Sequence, residues 1–88
     1  MHGYGGSSAL FFEIFRPLSQ HFHAIFLDII GMGGSSRAPY NAETAEQGLD
    51  YFINFIENWR IQMNITDFYL VAHSFGGYLA GIYNTRFP

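Results

Sequence analysis

The chain has 88 residues, enough for one domain at most, and no cysteine, which excludes a disulfide framework and thiolate metal sites. Its four basic residues form no cluster and its net charge is −3, so a surface that tracks nucleic-acid phosphates is excluded as well. Hydrophobic residues make up 49%, with ten Phe, six Tyr and one Trp. That is the composition of a packed core, yet a chain this short buries only about 60–65% of its unfolded surface, so it asks for more partner surface than it owns.

In chain order, 2-HGYGG-6 opens with a Gly-rich loop. Leu10, Phe11, Ile14, Phe15 and Leu18 then recur at helical spacing, which predicts a helix over 8–20 with Ser7 or Ser8 as its N-cap. Pro17 is expected to kink or restart it near Arg16. The run 23-HAIFLDII-30 is short, apolar and bounded by Gly31, so it predicts a buried strand. Residues 31-GMGGSSRAPYN-41 have no periodicity and read as a loop. Thr44 and Gln47 match a capping box at the start of an amphipathic helix over about 44–63. Its apolar face carries Leu49, Phe52, Ile53, Ile56 and Met63, with Trp59 nearby; Asp50, Asn54, Glu57, Asn58 and Gln62 lie opposite. A second strand is expected at 67-DFYLVAH-73, and Leu79, Ile82 and Tyr83 predict a last helix from Ser74 towards Pro88. The order helix, strand, helix, strand, helix implies a parallel sheet with helices on its faces, an α/β class.

The junction 72-AHSFG-76 carries the chemistry. A Ser in a tight turn between strand and helix is held in a strained backbone conformation, with its hydroxyl exposed at the carboxyl end of the strand. Small residues two positions either side, Ala72 and Gly76, prevent collision, and Gly77 follows. The Phe75 amide opens the helix and can stabilise an oxyanion. This is the pattern G-x-S-x-G with Ala in its first position. A plainer reading makes Ser74 an ordinary N-cap. In His2-Gly3-Tyr4-Gly5-Gly6, the Tyr4 amide is a candidate second oxyanion donor, with His2 and Gly3 structural; the plainer alternative is a common Gly-rich turn.

Other residues read as structural. His73 neighbours Ser74 along a strand and so points to the opposite face. Asp28 reads as a loop holder. His23 and Asp28 form an H-x-x-x-x-D coincidence, with side chains on opposite faces. Trp59 and Arg60 read as packing and a solvated charge. No histidine pair has an i,i+4 spacing, so neither metal nor cofactor is expected. No apolar run is long enough to span a bilayer, no secretory signal is recognised, and the sequon at Asn64 reads as chance.

The blocks HGYGG, DIIGMGGSSRAP, FIENWR and VAHSFGGYLAGIYNTRFP resemble the α/β-hydrolase superfamily over the whole chain. They are most similar to the branch of α/β-hydrolase domain-containing proteins four and five and their plant and protist relatives. The resemblance implies a partial α/β-hydrolase domain over residues 1–88, lacking the strand before His2 and all later strands, with the absent first strand lying between the two strands expected here. It implies Ser74 as catalytic nucleophile, Tyr4 and Phe75 as backbone oxyanion donors, and His2, Gly3, Ala72, Gly76 and Gly77 as structural at the site. The implied substrate is a phospholipid or lysophospholipid acyl group, with hydrolysis or acyl transfer as the reaction. The implied setting is cytoplasmic, at a lipid-droplet or membrane surface in the full-length protein. Members lacking the nucleophile act as regulators, so a regulator that binds a lipase is the alternative, and a non-functional gene fragment is another. No Asp, Glu or His follows Ser74 within the chain, so these residues alone are expected to be inactive.

Overall fold

In the computed structural model, which describes residues 1–88, a 3₁₀ turn at Ser8–Phe11 leads into α1 (Phe12–Ser19). Two further helices follow, α2 (Ala45–Gln62) and α3 (Phe75–Arg86), and no strand forms. The expected alternation is thereby corrected: 23–30 and 67–73 carry no ladder. A strand exists only through hydrogen bonds to a neighbour, and these two segments do not pair with each other. What links them is Met1–His2. The Met1 amino group donates to Val71 O at 2.8 Å and the His73 N–H donates to Met1 O at 3.0 Å. That bond pair is the pattern of one parallel rung, with Met1 opposite Ala72. On the other side, the His2 ring rather than its backbone reaches Ile29.

The start of α1 also differs from expectation. Neither Ser7 nor Ser8 caps it through a side chain. The Ser8 N–H is taken instead by the Asp28 carboxylate, Oδ1 at 2.7 Å, a partner twenty residues away. The break in the segment falls between Phe11 and Phe12, where the 3₁₀ turn ends, and the helix runs through Pro17 without interruption. Leu10, Phe12, Ile14 and Leu18 remain exposed, and the clearest aromatic contact of α1 is Phe15 on Phe26, with ring centroids 4.4 Å apart.

Helix α2 starts as its sequence dictates. Thr44 Oγ1 accepts from the Gln47 N–H at 3.1 Å. The Gln47 side chain reaches back one residue further than a simple capping box, to the Glu43 N–H at 2.8 Å. Ile53 and Ile56 are fully buried and meet Ile29, Leu79 and Tyr83 in the core, with Phe52 packed beside them. Met63 does not join them: α2 ends at Gln62, and the chain turns away at Asn64, whose φ is +58°.

Helices α2 and α3 are locked by a polar contact as well as by the core. Glu57 and Arg60, one turn apart, form an ion pair; Arg60 also donates to Ile65 O at 2.7 Å, and the Tyr83 hydroxyl donates to Glu57. Burial, and then the Glu57 carboxylate, push the Tyr83 hydroxyl up to about 12. Arg60 is therefore a structural tie between α2, the turn after it and α3, rather than the solvated charge its sequence position suggests. A second pair, Arg86 with Asp50 at 2.6 Å, joins the far end of α3 to α2.

Candidate functional site

Ser74 sits directly before α3 with φ 56° and ψ −120°. A non-glycine residue rarely adopts a positive φ, because its Cβ crowds the following carbonyl. Its hydroxyl is exposed and makes no capping hydrogen bond, which removes the reading of Ser74 as an ordinary N-cap. The turn is closed by backbone bonds on both sides: Gly76 N–H to His73 O and Tyr78 N–H to Ser74 O, each at 3.0 Å.

The two glycine stretches of the sequence meet here. Gly3 lies against the elbow so closely that a Cβ on it would be 3.2 Å from Ser74 Cβ. Gly76 is pressed onto the backbone of Met1 and His2; a Cβ there would sit 2.9 Å from Met1 O and closer still to His2 O. Gly77 differs from Gly76: a Cβ on it would make an ordinary 3.8 Å contact with Ala72 O. Close approach therefore requires Gly76 and not Gly77. Ala72 lies opposite Met1 in the single rung, and its small side chain is half-buried.

His2 is fully buried and holds this junction from beneath. Its Nε2 accepts from the Ile29 N–H at 2.9 Å, and its Nδ1 lies 2.7 Å from Gly3 O. Because Ile29 can only donate and Gly3 O can only accept, these partners assign the proton to Nδ1. Both ring nitrogens are engaged in placing the loop, leaving neither for Ser74. His73 is exposed and its ring makes no hydrogen bond to Ser74, while His23 is exposed on a distant segment.

From His2 the loop turns through Gly3–Gly6, with Gly6 N–H on Gly3 O at 3.1 Å and φ +73° at Gly5, the positive angle such a turn needs at its third residue. This turn presents Tyr4, whose ring stands edge-on to Phe75 at 6.1 Å. Neither the Tyr4 amide nor the Phe75 amide donates a hydrogen bond within the chain. Phe75 is the first residue of α3, whose leading amides have no intrahelical acceptor. Both N–H groups are thus free, on the two segments that meet at Ser74.

Asp28 fixes the loop from its far end. Oδ1 accepts from Ser8 N–H, and Oδ2 accepts from Gly34 N–H at 2.9 Å. The Gly34 bond, then those from Ser8, hold the carboxyl down at about 2. Gly33, at φ +54°, has no room for a Cβ beside Oδ2. Asp28 is thus the loop holder that its sequence position suggests, tying the end of the HGYGGSS segment to the 31–37 loop. Sequence reasoning did not anticipate a second feature near the site, the aromatic cluster of Tyr40, Tyr51 and Phe52. Only its aromatic composition hinted at it. No group of three His, Asp or Glu residues converges to hold a metal ion, and no helix is long and apolar enough to cross a membrane.

The α/β hydrolase fold family model matches residues 1–88. A 1-acylglycerol-3-phosphate O-acyltransferase of Arabidopsis thaliana is 41% identical over 88 residues, covering all of this chain and 21% of that protein. An abhydrolase domain-containing protein of Caenorhabditis elegans, abhd-5.2, is 40% identical over 90 residues, covering the whole chain and 20% of that protein. The rat 1-acylglycerol-3-phosphate O-acyltransferase ABHD5 is 33% identical over 88 residues, 25% of its length. The chain thus spans about a fifth to a quarter of the curated relatives it matches. No solved structure matches it. With the family model covering every residue from the Gly-rich loop to the end of α3, the chain belongs to the α/β-hydrolase fold family, near the branch that holds α/β-hydrolase domain-containing protein 5.

Proposed function

We propose that the protein carrying this chain is a serine-dependent lipid acyl hydrolase or acyltransferase, with Ser74 as nucleophile and the Tyr4 and Phe75 amides as its oxyanion hole. One observation carries the reading: Ser74, exposed and held at φ 56°, meets the loop that carries Tyr4 where Gly3 and Gly76 let the backbone segments close up, and neither the Tyr4 nor the Phe75 amide has a partner in the chain. Such donors cost no reorganisation when charge develops on a carbonyl oxygen. The activity named for the relatives, acyl transfer to 1-acylglycerol-3-phosphate, supports a lipid acyl group as the substrate.

The chemistry follows from those groups. Ser74 Oγ attacks the ester carbonyl carbon, and the carbonyl π electrons move onto its oxygen, which the two amides receive. The hydroxyl proton passes to a general base, an imidazole in this fold family, that lies outside the groups bonded to Ser74 here. Collapse of the adduct expels the alcohol, which takes that proton, and leaves the acyl group on Ser74. Water then releases a fatty acid, or the hydroxyl of a lysophospholipid accepts the acyl group, and Ser74 regains its proton. Both outcomes share one acyl-enzyme, so the acceptor alone separates hydrolase from transferase.

The test uses the full-length protein with 1-acylglycerol-3-phosphate and an acyl donor, with diacyl product and free fatty acid quantified by mass spectrometry. Ser74→Ala is expected to lower both products by at least about a hundredfold. Undiminished turnover in that variant would assign the reaction to another group.

A further inference from the structure

Beneath the elbow, four polar groups are joined end to end by hydrogen bonds that all run in one direction. The Ser35 hydroxyl donates to Asp28 O. That carbonyl shares a peptide unit with the Ile29 N–H, which donates to His2 Nε2 at 2.9 Å. The other ring nitrogen, Nδ1, carries the His2 proton and donates to Gly3 O at 2.7 Å. Gly3 O in turn shares a peptide unit with the Tyr4 N–H, which has no acceptor in the chain. The row thus begins at a side-chain hydroxyl and ends at a free amide beside Ser74. His2 and Ile29, at its centre, are fully buried within these 88 residues, and further chain can only deepen that burial.

A peptide C=O that accepts a hydrogen bond shifts its amide towards the charge-separated resonance form, and the N–H of the same unit becomes a stronger donor. An imidazole does the same between its nitrogens: a bond received at Nε2 strengthens the Nδ1–H. The direction is strict, because the other His2 tautomer would set Nε2–H against the Ile29 N–H. We infer that Ser35 and His2 are positioning residues for the Tyr4 amide: through this relay they orient the Gly3–Tyr4 peptide and strengthen its N–H towards an oxyanion, with no proton changing its atom. The inference rests on the reading of Ser74 as nucleophile and of Tyr4 as oxyanion donor. Orientation follows from planarity. No peptide bond in the chain is cis, so the Tyr4 N–H points opposite to Gly3 O. Gly3 O is held towards the imidazole, with the Gly6 N–H as a second donor at 3.1 Å, and the Tyr4 N–H is thereby turned away from it. Asp28 then acts twice: its carboxylate clamps two loops, and its backbone carbonyl passes the polarisation on.

The test uses the full-length protein with ¹⁵N-labelled histidine and octyl trifluoromethyl ketone. Ser74 Oγ adds to the ketone carbon, the carbonyl π electrons move onto oxygen, and the hydroxyl proton goes to the base, which leaves a stable oxyanion. The His2 Nδ1–H resonance should move downfield as that adduct forms, although His2 does not touch the ligand. Ser35→Ala should diminish the movement, and should lower kcat for p-nitrophenyl octanoate about three- to tenfold at unchanged KM, less than the hundredfold or more that follows loss of a direct donor. Ser35→Thr, which keeps a hydroxyl, should restore both. Arg37 donates to Ser35 O and Gly33 O but lies outside the relay, so Arg37→Ala loosens the same loop and should leave the downfield movement in place. An adduct that leaves the His2 proton unmoved, a movement unchanged in Ser35→Ala, or one lost equally in Arg37→Ala would overturn the relay while leaving a reactive Ser74 intact. A ketone that forms no adduct at Ser74 would remove the nucleophile reading, and the relay's role with it.

Discussion

At φ 56° and ψ −120°, Ser74 stores backbone strain of about 1–3 kcal/mol, which a glycine would not carry. Part of that gain is offset by the extra freedom glycine has in the unfolded chain, about 0.5–1 kcal/mol. Ser74→Gly is therefore expected to stabilise the protein by about 1 kcal/mol, read as a higher urea midpoint at unchanged slope, while abolishing any reaction at this position. A lower midpoint would mean that the turn is not strained. Asp28 makes a second residue-scale prediction. Its folded pKa, about 2, lies below its unfolded value of about 4, so its stabilising share is present above about pH 4 and is lost as pH falls through about 2. Glu57 is shifted in the same direction, so the measurement is a difference. The urea midpoint of the wild type should fall more between pH 4.5 and about 2 than that of Asp28→Asn, and parallel curves would refute the loop-holding role.

Among the elements, α3 contains three glycines with different duties. Gly76 faces the backbone of Met1 and His2, whereas Gly81 has nothing within 4 Å of where its Cβ would be. Gly81→Ala should stabilise α3 by about 0.5–1 kcal/mol through helix propensity alone. Gly76→Ala should destabilise the protein by about 1–3 kcal/mol, because the new methyl meets backbone that cannot step aside. Thermal melts of the two variants should shift in opposite directions; a shift of the same sign would mean that the HGYGG loop does not press on the elbow. Helices α2 and α3 were readable in the sequence because their signals are local: Thr44 and Gln47 at one start, Leu79 and Tyr83 a turn apart in the other. The segments 23–30 and 67–73 look like strands for equally local reasons, but pairing is not local, and only Met1 offers one of them a rung. The missed contacts have the same cause. Asp28 reaches Ser8 across twenty residues, and Tyr83 reaches Glu57 across twenty-six.

For the molecule as a whole, eight of 88 residues are buried, and five of them form the hydrophobic core. So small a core, gathered on α2, α3 and Ile29, predicts that residues 1–88 alone show slow amide exchange in α2 and α3 and fast exchange over 23–30 and 67–73. Protection spread evenly over both segments would contradict that picture. The site was legible further than the sheet: the sequence brought Gly3, Tyr4, Ser74, Phe75 and Gly76 to one place, where the structure also puts them, because elbow and loop are each written in consecutive residues. What consecutive residues cannot record is the aromatic cluster of Tyr40, Tyr51 and Phe52, or the base that would take the Ser74 proton. Whether Ser74 is a nucleophile is decided by treating the folded full-length protein with a fluorophosphonate and mapping the adduct by mass spectrometry. Stoichiometric modification of the peptide carrying Ser74, lost in Ser74→Ala, is the expected result; a folded protein whose Ser74 peptide stays unmodified would mean that Ser74 is no nucleophile.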